Sequence, residues 1–335
     1  GFDYFYGYNC QRQAHNLYPA HLWENDHKVA LANDTIPPGT KLSANANPDD
    51  ASSYSAYYQA DYAPEKMQQS ALDFVKNRDS DKPFMLYYAS PIPHVPLQVP
   101  EEYVMKYHEI IGEETPYLGQ NGYFPHQYPK AAYAGMINYL DDQIGELVAL
   151  LKAEGIYENT VIMFTSDNGP TYAGGVDAEY FDSAGPFSND YGRTKGFTYE
   201  GGIRVPMIVS WPGEITPGST TDHISAFYDI MPTIAGLGGA NSPTNIDGLS
   251  FMPTLLGDNQ DIHEYLYWEF PEYKGQQAVR MGDFKAIRKN MFEGNLEIEL
   301  YNLTNDPAEL KDVSGDHPDV VNQISSIMVS AHKDA

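Results

Sequence analysis

Residues 160–169 read Thr-Val-Ile-Met-Phe-Thr-Ser-Asp-Asn-Gly, and this stretch constrains the fold more than any other. An apolar, β-branched run that stops abruptly at polar residues predicts a buried strand feeding a loop at the carboxyl edge of a sheet. In open α/β sheets that edge is where ligands gather. Asp167 brings a carboxylate and Asn168 a carbonyl oxygen, both hard ligands suited to Ca2+ or Mg2+. Gly169 lets the backbone turn sharply or approach another group closely. A solvated Asn-Gly turn explains the same four letters equally well, so the neighbouring sequence has to decide.

Two further apolar runs end the same way. Pro83 to Ser90 predicts a strand, followed by Pro91-Ile92-Pro93-His94-Val95-Pro96. The prolines stiffen the backbone around His94, which makes a rigidly held imidazole after a strand a catalytic candidate. Met207 to Trp211 predicts another strand, preceded by Tyr-Gly-Arg-Thr-Lys-Gly-Phe-Thr-Tyr-Glu-Gly-Gly-Ile-Arg-Val-Pro over residues 191–206. The three segments therefore bring His94, the pair Asp167 and Asn168, and the loop carrying Lys195 to strand ends. They are expected within reach of one small tetrahedral anion.

Taken together, these elements resemble the sulfatases of the alkaline-phosphatase superfamily, of the arylsulfatase A and N-acetylgalactosamine-6-sulfatase type. Ser-Asp-Asn-Gly, Pro-His-Val-Pro and Lys-Gly-x-x-x-Glu-Gly-Gly-x-Arg-Val-Pro match in type, order and approximate spacing. Each alone is weak, and the set is specific. The resemblance implies an α/β fold with a mixed, mostly parallel sheet sandwiched by helices, over residues 1–258. A small α+β subdomain with an antiparallel sheet and a closing helix is expected over 259–335. It also implies sulfate-ester hydrolysis, with a sulfated small molecule or saccharide as substrate and a periplasmic or extracellular location. A formylglycine hydrate attacks sulfur, and Ca2+, with Mg2+ as the alternative, polarises the sulfate oxygens. Asp167 and Asn168 are implied metal ligands. Lys195 binds the sulfate, and His94 contacts it or protonates the departing alcohol.

The family's nucleophile arises from a Cys-x-Pro-x-Arg or Ser-x-Pro-x-Arg motif. Cys10, the sole cysteine, lies in Tyr-Asn-Cys-Gln-Arg-Gln and lacks the Pro and Arg at those offsets. It reads as an ordinary cysteine. The opening residues 1–8 resemble the segment that follows the family's Gly-Lys-Trp-His-Leu-Gly motif. The chain is therefore expected to be the later part of a sulfatase, with formylglycine and further ligands on a preceding segment. Ca2+ takes about six to eight oxygens, so this chain alone is expected to bind metal weakly and turn over nothing. Two other readings stay open: a phosphodiester or phosphonate hydrolase of the same superfamily, and a non-catalytic saccharide-binding module.

Composition bears on partners. A formal net charge of −26 over 335 residues argues against nucleic acid, whose phosphates need clustered Lys and Arg. It also means that an anionic ester must be held by a local patch: a divalent cation, Lys195, His94 and Arg193. The 27 tyrosines suit a surface that meets sugars. No apolar run approaches the length of a membrane helix.

Helices are expected over Tyr62–Arg78, Pro100–Ile111, Lys130–Glu154, Asp222–Leu237 and His317–Lys333, from apolar stripes at helical spacing. Alternation predicts antiparallel strands over 265–270, 277–281, 284–288 and 297–301, with a tight turn at Gly282-Asp283. His15, His21 and His27 read as surface or substrate-rim residues. Asp141 and Asp142 read as solvated helix charges. Glu200 and Arg204 read as a structural pair framing Gly201-Gly202.

Overall fold

The computed structural model describes residues 1–333. It forms two compact units: residues 1–157 with 172–177, and residues 158–171 with 178–335.

In the first unit, β1 (Tyr6–Gly7), β2 (His21–Glu24) and β3 (His27–Ala30) make a small antiparallel sheet. Three helices follow: α1 (Ala63–Asn77), α2 (Glu101–Ile111) and α3 (Pro129–Ala153), each within a residue or two of its expected bounds. Pro64 and Pro129 occupy first-turn positions, where the missing N–H costs nothing. The core gathers Leu17, Tyr62, Ile92, Val95, Leu97, Val99, Ala131 and Met136, all buried. Asp141 and Asp142 are exposed, as expected.

The expected strand at 83–90 does not form. Residues 84–89 join no ladder, and Met85 and Tyr87 are 49% and 72% exposed. One side of this segment rests on helices, with Phe84 against Phe74 and the Tyr88 hydroxyl donating to Gln143. The apolar run reflects that one-sided packing rather than burial in a sheet.

His126 is buried within the 113–128 loop, where its backbone pairs with Tyr117. The Tyr128 N–H donates to its Nδ1 at 2.8 Å. Burial pushes its pKa from 6.5 down to about 3, because a charged imidazole loses its hydration there. The folded value lies below the unfolded one, so the fold holds full stability above about pH 6.5 and loses it as pH falls towards 3. The loss is about 1.4 kcal/mol per pH unit. At pH 5, urea unfolding of His126→Asn should recover about 2 kcal/mol of the acid loss seen in the wild type. Equal pH slopes in both proteins would refute this.

In the second unit, β4 (Ile162–Thr165) precedes the short helix α4 (Glu200–Ile203) and β5 (Met207–Ser210). β4 and β5 pair antiparallel with Met163 opposite Val209. Next come α5 (Ile230–Leu237), entered through a 3-10 turn at Phe227–Asp229, and α6 (Met252–Leu256). The expected helix from Asp222 therefore starts later, because Asp229 is occupied in capping: it accepts from the Ala226 and Leu249 N–H groups and pairs with His263 at 2.9 Å.

The meander β6 (Leu266–Phe270), β7 (Gln276–Met281), β8 (Phe284–Lys289) and β9 (Glu299–Asn302) is antiparallel throughout, and α7 (Pro318–Ala331) closes it. Both faces of this sheet are covered. Val279, Ala286 and Leu300 pack on Ile324 and Met328 of α7, whereas Ala278, Ile287 and Tyr301 pack on Tyr199. The α/β class and the C-terminal antiparallel sheet are as expected. The mostly parallel arrangement is not what the described strands make, since every ladder among them is antiparallel. No helix among the described residues is long and apolar enough to cross a membrane.

Candidate functional site

Asp167 and Asn168 sit at the end of β4, as expected, although the strand is only half buried and Asp167 is exposed. The turn that carries them is held tightly. Ser166 Oγ donates to the Asn168 carbonyl at 3.0 Å, and the Gly169 N–H donates to the Gly202 carbonyl at 2.9 Å. A Cβ on Gly169 would lie 1.9 Å from the Gly201 carbonyl oxygen, and one on Gly202 would lie 2.0 Å from that of Phe197. Only glycine allows this backbone-on-backbone contact. The Asn168 amide nitrogen donates to the Gly169 carbonyl at 2.9 Å, so of its two side-chain polar atoms the carbonyl oxygen is the one able to coordinate a cation.

The same contact brings in Lys195. Its N–H donates to the Pro170 carbonyl at 2.9 Å, so the lysine loop is tied to the turn that carries Asp167. Burial lowers the Lys195 pKa, and the Asp167 carboxylate opposes that shift. The ammonium is thus partly desolvated, with the Asp167 carboxylate favouring its charged form. The second unit therefore brings three of the four predicted site residues together. Among the described residues no group of three or more His, Cys, Asp and Glu could hold a metal ion. Asp167 and Asn168 thus fit part of a hard cation's oxygen shell and do not complete one.

The fourth residue, His94, belongs to the first unit. Its segment is locked by buried Gln98, which accepts from the Leu17 N–H at 2.8 Å and donates to the Tyr57 carbonyl. His94 Nδ1 lies 2.6 Å from the Val95 carbonyl. A carbonyl can only accept, so Nδ1 carries a proton. The ring stacks on His15 at 5.6 Å and meets Tyr123 edge-on at 6.0 Å. His15 was read from sequence only as a surface or rim residue, and no periodic signal links it or Tyr123 to His94.

A supporting network went unread in the sequence. Lys285, fully buried, lies 2.8 Å from Glu200 and 3.1 Å from Glu309. Glu309 Oε2 accepts from the Glu200 N–H at 2.6 Å, and Arg204 pairs with Glu200 at 3.2 Å. The structural reading of Glu200 and Arg204 is met, with Lys285 as the larger partner. Arg193 is not available as an anion holder. Its guanidinium lies 4.4 Å over the Tyr199 ring and donates to the Glu309 carbonyl. Cys10 is exposed.

The sulfatase family matches residues 1–240, and the N-sulphoglucosamine sulphohydrolase C-terminal family matches 191–333. Human arylsulfatase A is 29% identical, over 76% of this chain and 50% of its own length. Human N-acetylgalactosamine-6-sulfatase is 32% identical, over 65% of this chain and 36% of its own length. The chain spans half or less of those two relatives. Among solved structures, Ps i-CgsB in complex with k-i-k-neocarrahexaose superposes with a TM-score of 0.71 at 25% identity, over 98% of this chain and 66% of that one. With the family matched over the Ser-Asp-Asn-Gly turn, the Pro-His-Val-Pro segment and the lysine loop, the chain belongs to the sulfatase family.

Proposed function

We propose that this chain serves the hydrolysis of sulfate esters on a saccharide outside the cytoplasm. The observation that carries the reading is the tie between the Asp167–Asn168 turn and Lys195, in a chain of this family. Asp167 and Asn168 would hold part of the shell of Ca2+, or of Mg2+. The cation's chemistry there is neutralisation of charge on the sulfate oxygens.

The remaining roles belong to this chain's side chains. Lys195 binds a sulfate oxygen and stabilises charge that grows in the transition state. His94 presents Nε2, since Nδ1 is committed to Val95. To donate to a sulfate oxygen, or to protonate the departing alcohol, it must act as the imidazolium. The nucleophile implied by the resemblance is a formylglycine hydrate, and Cys10 does not stand in its motif.

The test is ion chromatography of sulfate released from sulfated oligosaccharides by the full-length gene product, with phosphate and phosphonate esters in parallel. Sulfate release that falls on chelation supports the reading. A large preference for phosphate or phosphonate esters, or no release with intact metal, overturns it.

A further inference from the structure

We propose that Gln276, the first residue of β7, is a positioning residue for Lys195. Its buried side-chain amide clamps the chain just after that lysine and so sets where the ammonium meets its anion. This rests on the hydrolase reading for what Lys195 does, and the test below separates the two.

Both polar atoms of the amide go to the lysine loop. Gln276 Nε2 donates to the Gly196 carbonyl at 2.9 Å, and its Oε1 accepts from the Thr198 N–H at 3.2 Å. A carbonyl only accepts and an N–H only donates, so the two contacts fix which way round the amide sits. Gln276 and Thr198 are each 2% exposed, so leaving these backbone groups unpaired would carry their full desolvation cost. Other bonds hold the same stretch from its opposite side. The Lys195 N–H donates to the Pro170 carbonyl at 2.9 Å, and the Phe197 N–H closes a turn on the Thr194 carbonyl at 3.0 Å. Gly196, at φ 91°, supplies the left-handed backbone at that turn. Residues 195–198 thus each commit a main-chain group to a fixed partner.

The stiffness of the clamp comes from the sheet. β7 is an inner strand, in which Gln276 lies opposite Phe270 of β6 on one side and Lys289 of β8 on the other. Side chains alternate along a strand. Gln276 and Ala278 face the loop that ends at Tyr199, whereas Gln277 and Val279 lie on the face covered by α7. A lysine carries its charge on a flexible four-carbon stem, so a shift of its Cα is passed to the ammonium. A misplacement of about 1 Å, caused far from the chemistry, can cost about 100-fold in rate.

The test is a matched pair of variants of the full-length protein. Gln276→Met removes both contacts and keeps the length of the side chain. Gln277→Met removes an equally buried amide from the opposite face, where it bonds Tyr267 and Glu269, and so controls for lost stability. Gln276→Met is expected to lower kcat for a sulfated oligosaccharide about 10- to 100-fold. It is also expected to weaken binding of inorganic sulfate, measured by calorimetry, about tenfold. Gln277→Met should leave both values unchanged. Equal losses in the two variants would reduce the clamp to a stability feature, and wild-type values in Gln276→Met would make it idle; either result overturns the proposal. Should Gln276→Met fail to fold, Gln276→Asn keeps the amide on a stem too short to reach both partners, and wild-type kcat in that variant overturns the proposal equally. If the wild type releases no sulfate, the hydrolase reading fails and sulfate binding alone decides. Weaker binding in Gln276→Met than in Gln277→Met then supports the clamp, whereas equal affinity, or no sulfate bound by the wild type, overturns it.

Discussion

Lys285→Met is expected to destabilise the second unit by about 3–5 kcal/mol, the range for leaving buried charge uncompensated. Methionine keeps most of the apolar stem but removes the ammonium, which lies 2.8 Å from Glu200 and 3.1 Å from Glu309. Lys285 is fully buried, and the two carboxylates are 3% and 1% exposed, so water cannot replace the lost partner. Burial pushes Glu200 up, but Lys285, with Arg280 and Arg204, outweighs it and leaves its carboxyl below the ordinary value. Burial wins at Glu309 and holds it above the ordinary value despite Lys285. Without the ammonium, Glu309 is the carboxylate that takes up a proton most readily. Glu309→Gln in the Lys285→Met background should therefore recover part of the loss, whereas an additive double variant would show that the ion contacts do not matter. The urea midpoint of the second unit is the readout. Lys274→Met, which breaks only the exposed pair with Glu293, should be nearly neutral.

What the sequence disclosed, and what it withheld, follows from the kind of signal each element leaves. The stripes of α1 to α3 and the alternation of β6 to β9 were legible because burial on one side imposes a period. The direction of a strand's partner leaves no such mark. The apolar run at 160–165 announced a strand but not that β5 would meet it antiparallel, and residues 84–89 look the same in letters without joining any ladder. At the site, Asp167, Asn168 and Lys195 were visible through motif resemblance, and their proximity follows from glycine contacts at 169 and 202. Lys285, Glu309 and Gln98 were not visible, because a single polar letter in a strand or loop reads as exposed. Only the inward register of β8, where Phe284 and Ala286 face α7 and Lys285 and Ile287 face Tyr199, reveals which way that lysine points.

Lys195→Ala is expected to lower kcat for a sulfate ester by about 100- to 1000-fold, the usual loss on removing one preorganised donor to a developing charge. The fold should survive, because this ammonium is held against its own desolvation and its loop is anchored by backbone bonds from Lys195 and to Gly202 that alanine preserves. An unchanged urea midpoint with lost turnover would therefore locate the effect in chemistry. Lys195→Arg keeps the charge but exchanges a compact ammonium for a planar fork, so it should restore part of kcat, and the uncharged Lys195→Gln should not. The pH profile adds a signed check. Only the protonated lysine can stabilise the sulfate, and burial has lowered its pKa. Activity that depends on it is full below that pKa and falls as pH rises through it. In Lys195→Arg, which stays charged, that alkaline fall should move to higher pH. If the alanine variant retained wild-type kcat, or the alkaline limb were the same in both charged forms, Lys195 would be a surface lysine near Asp167, and the anion-holding role would have to pass to other groups.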